Sequence, residues 1–205
     1  MSKPLIKILS LLLFSAGVWA GIFSSSFAAP ADPRPAGREK VYLLRGFLNV
    51  FSLGMDQLAE ELRRKNVSAT VANHLASTSL VSDAIAECKS GQISSIVIVG
   101  HSLGATAAVG MADELQKAGI RVALVMTLDP VFTTAVPRNV QRLKNFYFSD
   151  GVGKTVQPGE HFHGSLQNVD LKGKPELGHI SLATSPAVHK QMLEYIASAA
   201  STRCR

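Results

Sequence analysis

From residue 41 onward, apolar residues recur in two alternating rhythms. Short aliphatic or β-branched runs read as strands, and longer segments with an apolar residue every three or four positions read as helices. Val41 to Leu44 predicts a short buried strand. Ser52 then predicts the cap of a helix with Met55, Leu58 and Leu62 on one face and Arg63, Arg64 and Lys65 in its last turn. The alternating stretch from Val67 to Asn73 predicts a second strand. Ser79 to Gly91 predicts a helix with Val81, Ala84, Ile85 and Cys88 together, closed by the glycine. Ile96 to Val99 is apolar at every position, which fits a central parallel strand covered on both faces. A helix follows over Leu103 to Lys117, ended near Gly119, and then another buried strand over Val122 to Leu128. Phe146 to Phe148 and Asn168 to Leu171 predict further strands. Ser185 and Pro186 open a last helix along Val188, Met192 and Ile196. Alternation of this kind predicts an α/β fold of three layers, a mostly parallel sheet with helices on both faces.

The first 30 residues break this rhythm. Lys3 and Lys7 occur without an acid, Ile8 to Phe23 carries no charge, and serines and the small residues Ala28, Ala29 and Ala31 follow. A basic start, an apolar middle and a small-residue end are the signature of a secretory signal. We therefore expect residues 1–30 to be a signal peptide, or an N-terminal anchor if it is not cleaved. The apolar stretch is shorter than the roughly 20 residues a membrane span prefers, so cleavage is favoured and the mature chain has no span. Residues 31–40 are proline-rich and charged and read as a linker, 41–200 as one domain, and 201–205 as a tail. The expected location is exported, periplasmic or secreted.

Composition narrows the classes further. With 46% apolar and 18% charged residues the chain is not intrinsically disordered. The net charge of +6 falls to +4 without Lys3 and Lys7, and the basic residues are scattered, so no nucleic-acid partner is expected. Arg63-Arg64-Lys65 is already explained by a helix C-terminus. Two cysteines cannot make a disulfide framework or a zinc cluster. In an oxidising compartment Cys88 and Cys204 could pair. A buried thiol plus a free tail thiol fits the pattern equally well.

The chemistry is concentrated at Gly100-His101-Ser102-Leu103-Gly104, a G-x-S-x-G between a strand and a helix. A serine hydroxyl that projects from so sharp a turn needs small residues two before and two after it. The following helix aims its positive end at the serine, which favours an oxyanion. Ala105, Ala107 and Ala108 let that helix lie close to the sheet. The bare pattern arises by chance in about one in ten chains of this length, and the two glycines would then serve only a tight turn. The β-branched run before it and the small-residue helix after it make that explanation much rarer.

These residues resemble the α/β-hydrolase superfamily, in particular its small serine lipases, esterases and thioesterases. The likeness rests on VGHSLGATAA, the earlier LLRGF, the later TLDP and the GHI near the end, and spans residues 41–197. It implies the three-layer α/β-hydrolase fold, Ser102 as nucleophile, and a histidine base last in chain order after the nucleophile and the acid. His179, in the loop before the last helix, holds that place. His101 reads as a neighbour inside the turn, His189 falls within the last helix, and His161 and His163 read as a surface loop, too few for a metal site. The acid is expected at Asp129, at the carboxyl end of a buried strand and in a Leu-Asp-Pro step like that of the pancreatic-type lipases. Asp150 is its rival, at the commoner superfamily position but also in an ordinary turn sequence. The oxyanion hole is implied at the backbone N–H groups of Leu103 and Phe47. Arg45-Gly46 stands where lipases often carry His-Gly, a departure that leaves the N–H in place.

About sixteen residues separate Asp129 from Phe146, too few for a helical cap domain, so an open site is expected. The leading expectation is an exported serine hydrolase that cleaves carboxylic esters through Ser102, His179 and Asp129, with a small-molecule or lipid ester as substrate and no cofactor or metal. Thioester or amide cleavage would use the same parts. A non-catalytic binding protein on this fold is the alternative from another class, because a fold alone does not prove activity.

Overall fold

Strand burial on both faces, and not merely strand number, determines the architecture. The computed structural model describes residues 38–47, 53–199 and 201–205. The expected signal or anchor, most of the linker, and Ser52 lie outside the described residues. Among the described residues eight strands occur: β1 (Glu39–Arg45), β2 (Ser68–Asn73), β3 (Ser95–His101), β4 (Leu124–Leu128), β5 (Thr134–Val136), β6 (Arg142–Tyr147), β7 (Val156–Pro158) and β8 (Ser165–Asp170). The helices are α1 (Gly54–Arg64), α2 (Ser77–Ser90), α3 (Leu103–Lys117) and α4 (Pro186–Ala197). Six strands form one sheet in the order β2-β1-β3-β4-β6-β8, and every neighbouring pair is parallel.

Successive side chains of a strand point to opposite faces. Val41, Leu43, Val97, Val99 and Met126 therefore pack with Met55, Leu58 and Leu62 of α1 and Val188, Met192 and Ile196 of α4. Tyr42, Leu44, Ile96, Ile98 and Val125 pack on the other side with Leu80 and Ala84 of α2 and Ala108, Met111 and Leu115 of α3. Each such buried aliphatic side chain stabilises the fold by roughly 1.5–3 kcal/mol. The result is the three-layer α/β fold, and no helix intervenes between β4 and β6 among the described residues, so no large cap covers the sheet there.

Several elements differ from expectation in detail. The helix expected from Ser79 begins at Ser77, after a 3-10 turn over His74–Ala76. The Asn73 side chain caps that turn by accepting from the Leu75 N–H, and the Ser79 hydroxyl instead donates to the Ala76 carbonyl. Leu53 holds the N-cap position of α1 without a side-chain hydrogen bond. β6 begins four residues before the aromatic run that marked it, because Lys144 and Asn145 are buried inside it. Asn145 bonds Thr127, Asn168 and the Lys154 carbonyl, and Lys144 donates to Gln167 and Tyr195. Satisfied in this way, polar residues can occupy a sheet interior. β5 and β7 pair with each other apart from the main sheet and were not expected; three residues each is too short for a periodic signal.

Cys88 and Cys204 form a disulfide that closes a separation of 116 residues. Around it the last residues are tied to the strand beginnings. The Cys204 N–H donates to the Ser94 carbonyl at 2.8 Å, the Arg121 N–H to the Cys204 carbonyl at 2.9 Å, and the Arg205 guanidinium to the carbonyls of Cys88 and Lys89. No helix among the described residues is long and apolar enough to cross a membrane.

Candidate active site

Ser102 stands alone between the end of β3 and the start of α3, with φ 59° and ψ −121°. Few residues other than glycine hold a positive φ, because Cβ then crowds the backbone. The surroundings enforce it. The Ser102 N–H donates to the Leu128 carbonyl at the end of β4, at 2.9 Å. A Cβ on Gly100 would lie 2.0 Å from the Gly104 carbonyl oxygen, and one on Gly104 would lie 2.1 Å from the Leu44 carbonyl oxygen. Both glycines are therefore required by contact as well as by turn geometry. Gly46, after β1, closes on the serine from the other side: a Cβ there would lie 2.9 Å from the Ser102 Cβ.

Asp129 follows β4 and is fully buried, also at positive φ (49°). Its N–H donates to the Phe146 carbonyl at 2.7 Å, and its Oδ1 accepts from the Phe148 N–H at 3.1 Å. Gly153 leaves room for the carboxylate, since a Cβ there would lie 1.7 Å from Oδ1. A buried carboxylate is costly unless paired and hydrogen-bonded. Its second oxygen meets His179 Nδ1 at 2.6 Å. The other imidazole nitrogen, Nε2, lies 3.1 Å from Ser102 Oγ. The structure thus brings Ser102, His179 and Asp129 into one continuous chain of hydrogen bonds at the carboxyl edge of the sheet. Asp150 is exposed, in the turn closed by the Gly151 N–H on the Phe148 carbonyl, and makes no such contact.

Leu103 occupies the first position of α3, whose first-turn N–H groups have no acceptor within the helix. Phe47 follows Gly46 in the turn after β1. Both backbones therefore lie within a residue of Ser102 or of its contact glycine. Arg45 does not face the serine. It makes a two-pronged ion pair with Asp56 in the first turn of α1, with Nε to Oδ2 at 2.9 Å, which ties the end of β1 to that helix. His161 and His163 precede β8 and so lie at the opposite end of the strands; His161 pairs with its neighbour Glu160. Among the described residues no cluster of three or more His, Cys, Asp or Glu side chains could hold a metal ion.

Two further histidines hold the His179 loop and had no sequence signal for that role. His101 Nε2 lies 2.7 Å from the His179 carbonyl oxygen, with the two rings 5.0 Å apart. Burial pushes the His101 imidazole below its ordinary pKa, so the ring is neutral and this nitrogen donates. His189 Nε2 reaches the Ala183 carbonyl at 2.6 Å while its Nδ1 faces Glu61 at 3.1 Å. The Ser181 hydroxyl accepts from the Gly178 N–H at 2.9 Å and closes the turn around His179.

No protein-family model and no curated protein matches this sequence. Solved structures do. A protein of Listeria innocua is similar over 77% of this chain and 93% of its own, at 10% identity and a TM-score of 0.55. The type II thioesterase BorB from the borrelidin biosynthetic cluster is similar over 83% and 94%, at 15% identity and a TM-score of 0.54. A cutinase-like protein from Cryptococcus sp. is similar over 81% and 96%, at 13% identity and a TM-score of 0.50. With the parallel sheet and its helix layers, these likenesses identify the fold as that of the α/β-hydrolases.

Proposed function

We propose that this chain, with its α/β-hydrolase fold, is an exported serine hydrolase that cleaves carboxylic esters. The observation that carries the reading is the relay Ser102 Oγ to His179 Nε2 at 3.1 Å and His179 Nδ1 to Asp129 Oδ2 at 2.6 Å. A hydroxyl, a base within hydrogen-bond reach and a carboxylate that fixes the base's tautomer are the parts that acyl transfer requires.

In this scheme Ser102 Oγ attacks the ester carbonyl carbon while His179 Nε2 takes the hydroxyl proton. The carbonyl oxygen becomes an oxyanion, stabilised by the N–H groups of Leu103 and Phe47 and by the positive end of α3. The intermediate collapses, the alkoxide leaves with the proton from His179, and an acyl-serine remains. Water, deprotonated by His179, attacks the acyl carbon; the carboxylic acid leaves and Ser102 regains its proton. Asp129 orients His179 and stabilises the imidazolium at each stage. No cofactor or metal enters the scheme.

Two observations support the finer parts of the reading. The Cys88–Cys204 disulfide fits an oxidising compartment and so the export expected from residues 1–30. Coenzyme A thioesters are scarce there, which favours oxygen esters over thioesters. The edge above β4 and β6, where no cap helix stands among the described residues, suits short or exposed acyl groups and esters on a bulky partner.

The test uses protein lacking residues 1–30, treated with a fluorophosphonate probe, with the adduct located by mass spectrometry. The expected result is one adduct, at Ser102, which a Ser102→Ala variant abolishes. A folded protein that takes no label would overturn the hydrolase reading in favour of a non-catalytic binding role on this fold.

A further inference from the structure

The residue before the proposed nucleophile is itself a histidine, and its side chain is 1% exposed. It is neither the base nor a packing ornament. Its Nε2 lies 2.7 Å from the backbone carbonyl of His179, while the His179 ring reaches the next residue, Ser102, at 3.1 Å. Adjacent residues of the β3–α3 turn thus grip the same histidine at two points, one on its backbone and one on its ring.

We propose that His101 is a positioning residue for acyl transfer: its Nε2–H anchors the His179 backbone and so sets the distance and direction of the His179 ring toward Ser102. The inference rests on the ester-hydrolase reading above.

The geometry explains why an anchor is needed. His179 is carried by a turn between an edge strand and a 3-10 segment, and its side chain is 32% exposed. Asp129 and Ser102 meet its two ring nitrogens, but these bonds leave the backbone beneath the ring free to shift. The bond at the carbonyl removes this freedom, because it fixes where the His179 backbone starts. It links the turn that carries the nucleophile directly to the turn that carries the base, without passing through the sheet. Misplacement of a base by about 1 Å can cost 100-fold in rate. The anchor must remain a donor throughout the cycle, since its partner is a carbonyl. A neutral ring with Nε2 protonated meets that demand, and burial holds His101 in the neutral state.

A near-isosteric pair separates this role from packing. Glutamine can place an amide N–H where His101 Nε2 lies; methionine fills similar space without a donor. Expected for His101→Met is a 10- to 100-fold lower kcat on a p-nitrophenyl ester, with KM within about 3-fold of the parent, and an equally slower fluorophosphonate reaction at Ser102. His101→Gln is expected to recover kcat to within about 5-fold of the parent. Melting temperatures are measured on both, and rates are referred to folded protein; His101→Phe, which keeps ring volume, replaces His101→Met if that variant does not fold. Glutamine no better than the donor-free variant, or a donor-free variant as fast as the parent, overturns the proposal while leaving Ser102 labelling intact. A parent protein that is not labelled at all overturns the hydrolase reading, and this inference with it.

Discussion

The amino ends of β1, β3 and β4 and the carboxyl ends of the same strands are built for different tasks. At the amino ends the chain is fastened. The Ser94 N–H meets the Arg38 carbonyl, Cys204 bridges Ser94 and Arg121 through its backbone, and a disulfide joins that segment to α2. Arg38 and Arg205 donate to the carbonyls of Gly91, Cys88 and Lys89 at the end of the same helix. At the carboxyl ends the chain carries strain and open apolar surface. Ser102 and Asp129 both hold positive φ, and Phe47, Phe132 and Ile180, each within three residues of a site contact, are more than half exposed. Strained backbone persists only where its surroundings over-determine it. Fastening one end of the strands lets the other hold a strained geometry that local preference alone would relax.

The largest expected effect lies at the strained end. Asp129→Asn should lower kcat/KM on an activated ester by roughly 10,000-fold, because the amide favours the wrong imidazole tautomer. Asp150→Asn, in its exposed turn, should stay within about 2-fold of the parent. Steady-state kinetics on both variants checks the contrast. Equal losses, or a loss confined to Asp150→Asn, would undo the assignment of the acid.

That contrast also shows what the sequence makes legible. Ser102 announces itself because its turn tolerates only glycine at positions 100 and 104, a constraint that leaves a pattern in the letters. Asp129 is visible as a carboxylate that ends an apolar run. The sequence favours it over Asp150; what holds its carboxylate there, the Phe148 N–H and the space at Gly153, depends on the path of the chain after β6 and leaves no mark in the letters. The parallel, doubly covered sheet is legible because its central strands are apolar at every position. The start of β6 is not, because Lys144 and Asn145 are satisfied by partners from β8, β4, α4 and the loop before β7, far along the chain. The Cys88–Cys204 pairing was equally open in the sequence, since it depends on where the last five residues run. His101 carries no signal at all for its contact, which is to a backbone carbonyl 78 residues away.

The next effect tests the fastened end alone. Replacing both cysteines, Cys88→Ala with Cys204→Ala, opens a loop of 116 residues. In the chain-entropy account that costs about 4–5 kcal/mol. For a domain of this size the melting temperature should fall by on the order of 10 °C. Well below the new transition, fluorophosphonate labelling at Ser102 should keep the parent's rate. A labelling rate that falls together with stability would show that the two ends are not separable.

The smallest effect sits beside that fastening, at Glu39, the first residue of β1. The residue is 6% exposed, and its Oε1 has no hydrogen-bond partner among the described residues. Burial raises its pKa from 4.5 to about 7. The folded chain therefore holds a proton that the unfolded chain releases near 4.5, so stability declines as pH rises from about 4.5 to about 7 and stays lower above that. Glutamine mimics the protonated acid and has nothing to lose over this window. Glu39→Gln should match the parent at pH 5 and exceed it at pH 8 by on the order of 1 kcal/mol, once solvent screening is allowed for. Urea unfolding at the two pH values checks this. A difference between the proteins that is the same at pH 5 and pH 8 would show that the buried charge is compensated, and that the fastened end of the strands carries no electrostatic weakness at Glu39.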